Sequence, residues 1–227
     1  MTAGTRVASP APSSMRLVLT LAIAGLISGV AIISIYEGTL STITENKARE
    51  LREAVFKVLP GVSQMQPLVF REGALIAEAK PAAGEPVVYG GYDADGKFVG
   101  YAIPGAGPGF QDTIGLLYGY DSASRQVLGM EVLESRETPG LGDKIYKDLH
   151  FVGNFQGLSV DPTIVAVKKG TRTRPNEVDS ITGATISSKA VVRIINETHT
   201  AWSDKLATPG AEPPLEETNS AAGGEPQ

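Results

Sequence analysis

Between Leu17 and Tyr36 the chain reads LVLTLAIAGLISGVAIISIY, twenty residues without a charge or a proline. As a helix rising about 1.5 Å per residue it reaches roughly 30 Å, the thickness of the hydrocarbon core of a bilayer. A cleavable signal peptide has a shorter apolar stretch, about 7–15 residues, followed by a small-x-small cleavage site. This run is longer and ends in Ser34-Ile35-Tyr36, where the tyrosine suits a membrane interface. Thr20, Ser28 and Ser34 form no polar face, as a helix inside a soluble core would show. The expectation is one membrane-spanning helix over residues 16–36. Arg6 and Arg16 precede it without an acid, and the first charge after it is Glu37. The positive-inside rule therefore places residues 1–15 in the cytoplasm and everything beyond Tyr36 on the extracytoplasmic side.

Composition narrows the chemistry of the remainder. There is no cysteine, which removes disulfides, thiolate metal sites, iron–sulfur clusters and cysteine nucleophiles. The two histidines, His150 and His199, have no metal-ligand spacing, so no metal site is expected. A net charge of −5 gives no basic footprint for nucleic acid. The span itself carries no charge, so any ion path through the membrane must lie in partners.

Beyond the span, Thr42-Ile43-Thr44-Glu45 fits a capping box, with Thr42 as N-cap of a helix that Pro60-Gly61 ends. From Met65 to Leu133 short strands alternate with turns. PVVYGGY (86–92) and KFVGYAI (97–103) flank Asp93-Ala94-Asp95-Gly96, and TIGLLYGY (113–120) and QVLGMEVL (126–133) flank Asp121-Ser122-Ala123-Ser124; both read as hairpins. The Gly- and Pro-rich stretch 104–112 between them reads as a loop. Asp143 to Leu149 is a short helix and TIVAV (163–167) a further strand. An amphipathic helix starts near Ser187, with Val191, Ile194, Ile195, Thr198 and Trp202 on its apolar side. From residue 207 onward Pro, Gly, Glu and Ser dominate without apolar period, the composition of a disordered tail. Residues 37–206 thus form one extracytoplasmic α+β domain, an antiparallel sheet with flanking helices.

The stretch DSITGATISS (179–188) stands just before that last helix. A helix start offers free N–H groups and the positive end of the dipole, a seat for phosphate. Gly183 and Ala184 leave the backbone approachable, while Thr182, Thr185, Ser187 and Ser188 can donate to phosphate oxygens. Hydroxyl residues at a helix start are also ordinary caps. The residues alone leave both readings open.

Asp179-Ser180-Ile181-Thr182-Gly183-Ala184-Thr185 resembles the Asp-x-x-Ser/Thr-Gly-Ala-Thr flavinylation motif, and Glu137-Thr138-Pro139-Gly140-Leu141-Gly142 matches a second signature upstream. With the single N-terminal span, residues 16–206 resemble the G subunit of the Rnf-type ion-translocating electron transport complex. The homologous C subunit of the Na⁺-translocating NADH:quinone reductase is the alternative. The resemblance implies covalent FMN, its phosphate esterified to Thr185 by a flavin transferase that recognises Asp179. It further implies that Thr182, Gly183, Ala184, Ser187, Glu137, Thr138 and Leu141 neighbour the cofactor. None of these would be a proton-transferring catalyst. The expected partners are the other subunits of the membrane complex, among which ferredoxin and NAD enter elsewhere. A stand-alone binding module for a phosphorylated ligand and a scaffold with a capped helix are the competing classes.

Overall fold

The computed structural model describes residues 13–216. The cytoplasmic expectation for residues 1–12, Arg6 included, and the disorder expected of residues 217–227 lie outside it. The first helix, α1 (Ser14–Val58), contains the whole apolar run and continues to the edge of the folded domain. The capping box is not used. Thr42 is an interior helical residue, and the Thr39 and Thr44 hydroxyls donate back to the carbonyls of Ile35 and Leu40. No proline interrupts the stretch between the span and Thr42, so extending an existing helix costs less than nucleating a second one. Leu17 to Tyr36 is exposed along nearly all its length, and the helix is long and apolar enough to cross a membrane.

Residues 50–216 hold the domain. β1 (Gln64–Arg71), β2 (Ala74–Ala77), β3 (Val87–Tyr92), β4 (Phe98–Pro108), β5 (Thr113–Asp121) and β6 (Gln126–Ser135) precede the short helices α2 (Lys144–Lys147) and α3 (Leu149–Gly153). They are followed by β7 (Leu158–Ser159), β8 (Val165–Val167), β9 (Glu177–Asp179) and the long helix α4 (Thr185–Trp202). Seven strands form one antiparallel sheet in the order β2-β1-β3-β4-β5-β6-β7, and β8 and β9 make a separate parallel pair. The α+β expectation holds, and both hairpins form where the turn residues place them.

The stretch 104–112 departs from its reading as a loop. Through Pro108 it is strand, paired with β5 from Tyr101↔Tyr120 to Pro108↔Thr113. Beyond Ala102 β4 pairs with β5 alone, an edge situation in which a strand tolerates proline. Its glycines have a packing reason. A Cβ on Gly107 would stand 2.9 Å from Ile194 Cγ1, so Gly105 and Gly107 form the bed on which α4 lies.

On the opposite face of the sheet, Ala54, Val55, Val58 and Leu59 from the end of α1 pack against Ala102 and Leu117. Gly91, Gly100, Gly119 and Gly129, one from each of four neighbouring strands, line a trench beneath them. A Cβ on Gly91 would meet Leu59 Cδ1 at 2.6 Å, one on Gly129 the Val58 Cα at 3.2 Å, and one on Gly119 would stand on the Val58 carbonyl. The helix end and the sheet meet backbone to backbone.

Two further readings change. The single short helix expected at 143–149 is two, because Asp148 is extended and caps α3 by accepting from the His150 and Phe151 N–H groups. Residues 207–216 form no helix or strand, yet they are tied to the sheet. Tyr92 OH donates to the Pro213 carbonyl at 2.6 Å, Gln66 Nε2 donates to the Pro214 carbonyl at 2.8 Å, and Glu216 N–H donates to Gln66 Oε1 at 3.0 Å. Gln66 and Tyr92 are buried polar groups that need partners. The prolines supply carbonyls without bringing an N–H that would itself need one.

Gly119→Ala is expected to lower the stability of the full chain in detergent by about 1–3 kcal/mol, the range for overpacking. Gly153→Ala, whose added methyl meets nothing within 4 Å, should stay within about 0.5 kcal/mol. Chemical denaturation followed by circular dichroism compares the two.

Candidate functional site

The last helix begins two residues earlier than its apolar pattern suggests. Thr185 is its first residue and Ala184 occupies the N-cap position, with no side-chain cap. None of the hydroxyls of the stretch takes the capping role. Ser188 Oγ accepts from the Ile181 N–H at 3.0 Å and donates to the Ala184 carbonyl, bracing the turn from inside. Ser187 Oγ donates to Glu137 Oε2. Gly183, with φ +84°, makes the left-handed turn that a side chain would strain. The first-turn N–H groups of Thr185, Ile186 and Ser187 meet no acceptor among the described residues, and the Thr185 side chain is exposed beside them.

Facing this helix start is the turn formed by Glu137 to Gly142. The Leu141 and Gly142 N–H groups donate to the Thr138 carbonyl, and Thr138 Oγ1 donates to Gln111 Oε1 at 2.7 Å. Glu137 does not face solvent; it is 5 % exposed. Its Oε1 accepts from the Phe110 and Gln111 N–H groups at 2.8 and 2.9 Å, and its Oε2 accepts from Ser187. The carboxylate is seated between two glycines. A Cβ on Gly142 would lie 2.5 Å from Glu137 Oε2, and one on Gly109 would collide with Oε1. Burial pushes the Glu137 carboxyl up, but the Ser187 hydroxyl and the backbone donors outweigh it and hold it below the usual carboxylate range.

These segments enclose a cleft of ≈ 300 Å³. Phe110, Leu141 and Ile186, respectively 63 %, 51 % and 58 % exposed, form its apolar walls. Thr138, Gly142, Gly183, Ala184, Thr185 and Ser187 complete it, and no charged side chain lines it. Its size falls in the range of small-molecule sites, about 300–1,000 Å³. Flat apolar walls beside an exposed hydroxyl and free N–H groups suit a planar ring carrying a phosphate.

An FMN-binding domain is matched over residues 109–199, the stretch that contains every wall of this cleft. The G subunit of the ion-translocating oxidoreductase complex of Methanosarcina acetivorans is 31 % identical over 179 residues, covering 78 % of this chain and 88 % of that protein. The chain belongs to the G-subunit family of ion-translocating oxidoreductase complexes. Its counterpart in the Na⁺-translocating ferredoxin:NAD⁺ oxidoreductase complex of Acetobacterium woodii is 32 % identical over 166 residues, covering 70 % and 76 % of the two chains. In fold this family member is similar to the C subunit of the Na⁺-translocating NADH-quinone reductase of Parabacteroides distasonis. That structure has a TM-score of 0.58 and 19 % identity, covering 73 % of this chain and 94 % of the other.

The structure thus brings together Glu137, Thr138, Leu141, Gly183, Ala184, Thr185 and Ser187 of the residues singled out in the sequence. Two stand apart from the cleft. Thr182 lies on the far side of Gly183, and Asp179 is on β9, accepting the Gly170 N–H at 2.9 Å. Phe110 and Ile186 were not anticipated. Phe110 is the lone aromatic residue in the Gly-Pro stretch, a signal that had been available.

Removing the carboxylate in Glu137→Ala leaves two backbone donors and a buried hydroxyl unpaired, an expected loss of about 2–4 kcal/mol. Because the folded pKa lies below the unfolded value of about 4.3, the network stabilises fully above that value. The contribution is lost as pH falls through the folded pKa. Glu137→Gln should flatten this part of the stability–pH curve, read by denaturant unfolding from about pH 7 down to pH 3.

Proposed function

We propose that this protein carries FMN bound covalently through a phosphoester to Thr185 and relays electrons within a membrane-embedded, ion-translocating ferredoxin:NAD oxidoreductase. The observation that carries the reading is the exposed Thr185 hydroxyl at the uncapped start of α4, on the rim of the apolar cleft. Attachment joins Thr185 Oγ1 to the phosphorus of an FMN donor held by a transferase; the hydroxyl loses its proton and the donor's leaving group departs. Asp179, outside the cleft and close in sequence, is available to the transferase. When bound, FMN supplies the redox chemistry.

The protein's residues then bind and position. Phe110, Leu141 and Ile186 hold the ring and exclude water from it. Thr138, held by its tie to Gln111, would contact the ring from the cleft wall. Ser187 and Glu137 fix the helix start against the opposing turn, so the attachment point does not drift relative to the cleft walls. A phosphoester leaves the ring's own atoms unaltered, so the potential is set by these surroundings. The relative from Acetobacterium woodii, named for ferredoxin and NAD, supports the placement of the chain in that class of complex. Residues 16–36 anchor it with the domain on the outer side, and ion movement belongs to partner subunits.

Protein co-expressed with a flavin transferase should give a band that fluoresces in a denaturing gel. Thr185→Ala should abolish it and Thr185→Ser should retain it. A dark wild-type band, with the transferase active on a control substrate, refutes covalent attachment. The chain has no cysteine, so Ser203→Cys introduces a single thiol on the domain. A membrane-impermeant maleimide should label it in cells whose outer barrier alone is opened; protection until lysis would reverse the orientation.

A further inference from the structure

A second depression of ≈ 320 Å³ meets the apolar cleft at Gly183 and Thr185, residues that line both. Its chemistry is the opposite of its neighbour's. Lys168 and Lys169 follow β8 on one side, Lys189 rises from α4 on the other, and no carboxylate lines it. Lys189 is four residues beyond Thr185, hence one turn along the same face of the helix. None of the three lysines forms an ion pair among the described residues. Asp179, the nearby motif carboxylate, instead lines an adjoining depression that shares Lys169 and Ser180. Ser180 contributes to this second depression as well; it is 4 % exposed, and its Oγ has no hydrogen-bond partner among the described residues. An unpaired buried hydroxyl and three unpaired ammonium groups lining one depression, with the first residue of α4 at its edge, form an arrangement that gains from an anion.

We infer that this trough seats the phosphodiester of the Thr185-linked cofactor, so that the site is divided into a ring cleft and a phosphate trough on either side of the attachment residue. The inference rests on the covalent reading, adds Lys168, Lys169, Lys189 and Ser180 to it, and gives Thr182 a place on the phosphate side. The division follows from the chemistry of the two halves. The apolar cleft offers N–H groups but no cation, whereas the trough adds three lysines with which the ionised oxygens of a phosphate can pair. The lysines are exposed, and each solvent-screened contact contributes little alone, so several together serve where one would not.

The test compares full-length protein with and without covalent flavin by limited acetylation with a water-soluble succinimidyl ester, each lysine read by peptide mass spectrometry. Lys189 and at least one of Lys168 and Lys169 should react about threefold or more slowly in the flavinylated protein, while the distant Lys80 and Lys97 keep their rates. Equal rates at all three trough lysines overturn the inference. Phosphorus NMR of the flavinylated protein then separates contact with the phosphate from shielding by the ring. Lys189→Gln should move the phosphodiester resonance and leave the flavin absorption bands in place. Slowed lysines with an unmoved phosphorus resonance also overturn it. A dark band in the denaturing gel defeats the underlying covalent reading, whereas a fluorescent band with unprotected lysines defeats the trough alone.

Discussion

The geometry of the site depends on one buried carboxylate. Glu137 has almost no solvent to share its charge with, so its folded position must supply donors from the protein. They come from two separate segments, the Phe110–Gln111 backbone and the Ser187 hydroxyl. Joining them across the Glu137–Gly142 turn fixes the spacing between the walls of the cleft. Gly109 and Gly142 are required because the carboxylate occupies the space their side chains would need. The cleft is therefore open for a ring because the carboxylate behind it is closed to water.

That dependence explains what could and could not be read in the chain beforehand. The apolar helix and the two hairpins were legible, since each is announced locally: twenty apolar residues, or strand patterns either side of a tight turn. The GAT stretch and the ETPGLG stretch were legible as motifs. Their contact with one another was not, because the Glu137–Ser187 bond joins residues fifty positions apart and carries no local signature. The Gly-Pro stretch misled for a similar reason. Its glycines signal turns in isolation, but Gly105 and Gly107 answer to Ile194 and Thr198 on a helix much later in the chain. Thr42 shows the reverse error, a sound local cap overridden by a helix already under way.

The last helix carries both kinds of information at once. Its apolar side, with Val191, Ile194, Ile195 and Trp202 buried, packs on the sheet and fixes where its first turn stands. Its first turn is braced by Ser188 from within and by Ser187 from across the cleft. What is left unsatisfied is confined to a few groups: three N–H groups, the Thr185 side chain and the hydroxyls and lysines on the far side of Gly183. A helix start satisfied in so many places and free in these few leaves its own remaining polar capacity around Thr185.

The trench of four glycines gives the domain a second joint of a different nature. The tie at Glu137 is ionic and hydrogen-bonded, so protons act on it directly. The seat of Val58 and Leu59 in the trench is shape against shape, and the ion pair beside it, Lys57 to Glu131, is solvent-screened and contributes little. Acidification therefore loosens the two unequally: the cofactor cleft slackens while the grip of the sheet on the end of α1 persists. Failure under acid begins at the cleft beside Glu137 and leaves the seat of the helix end in place.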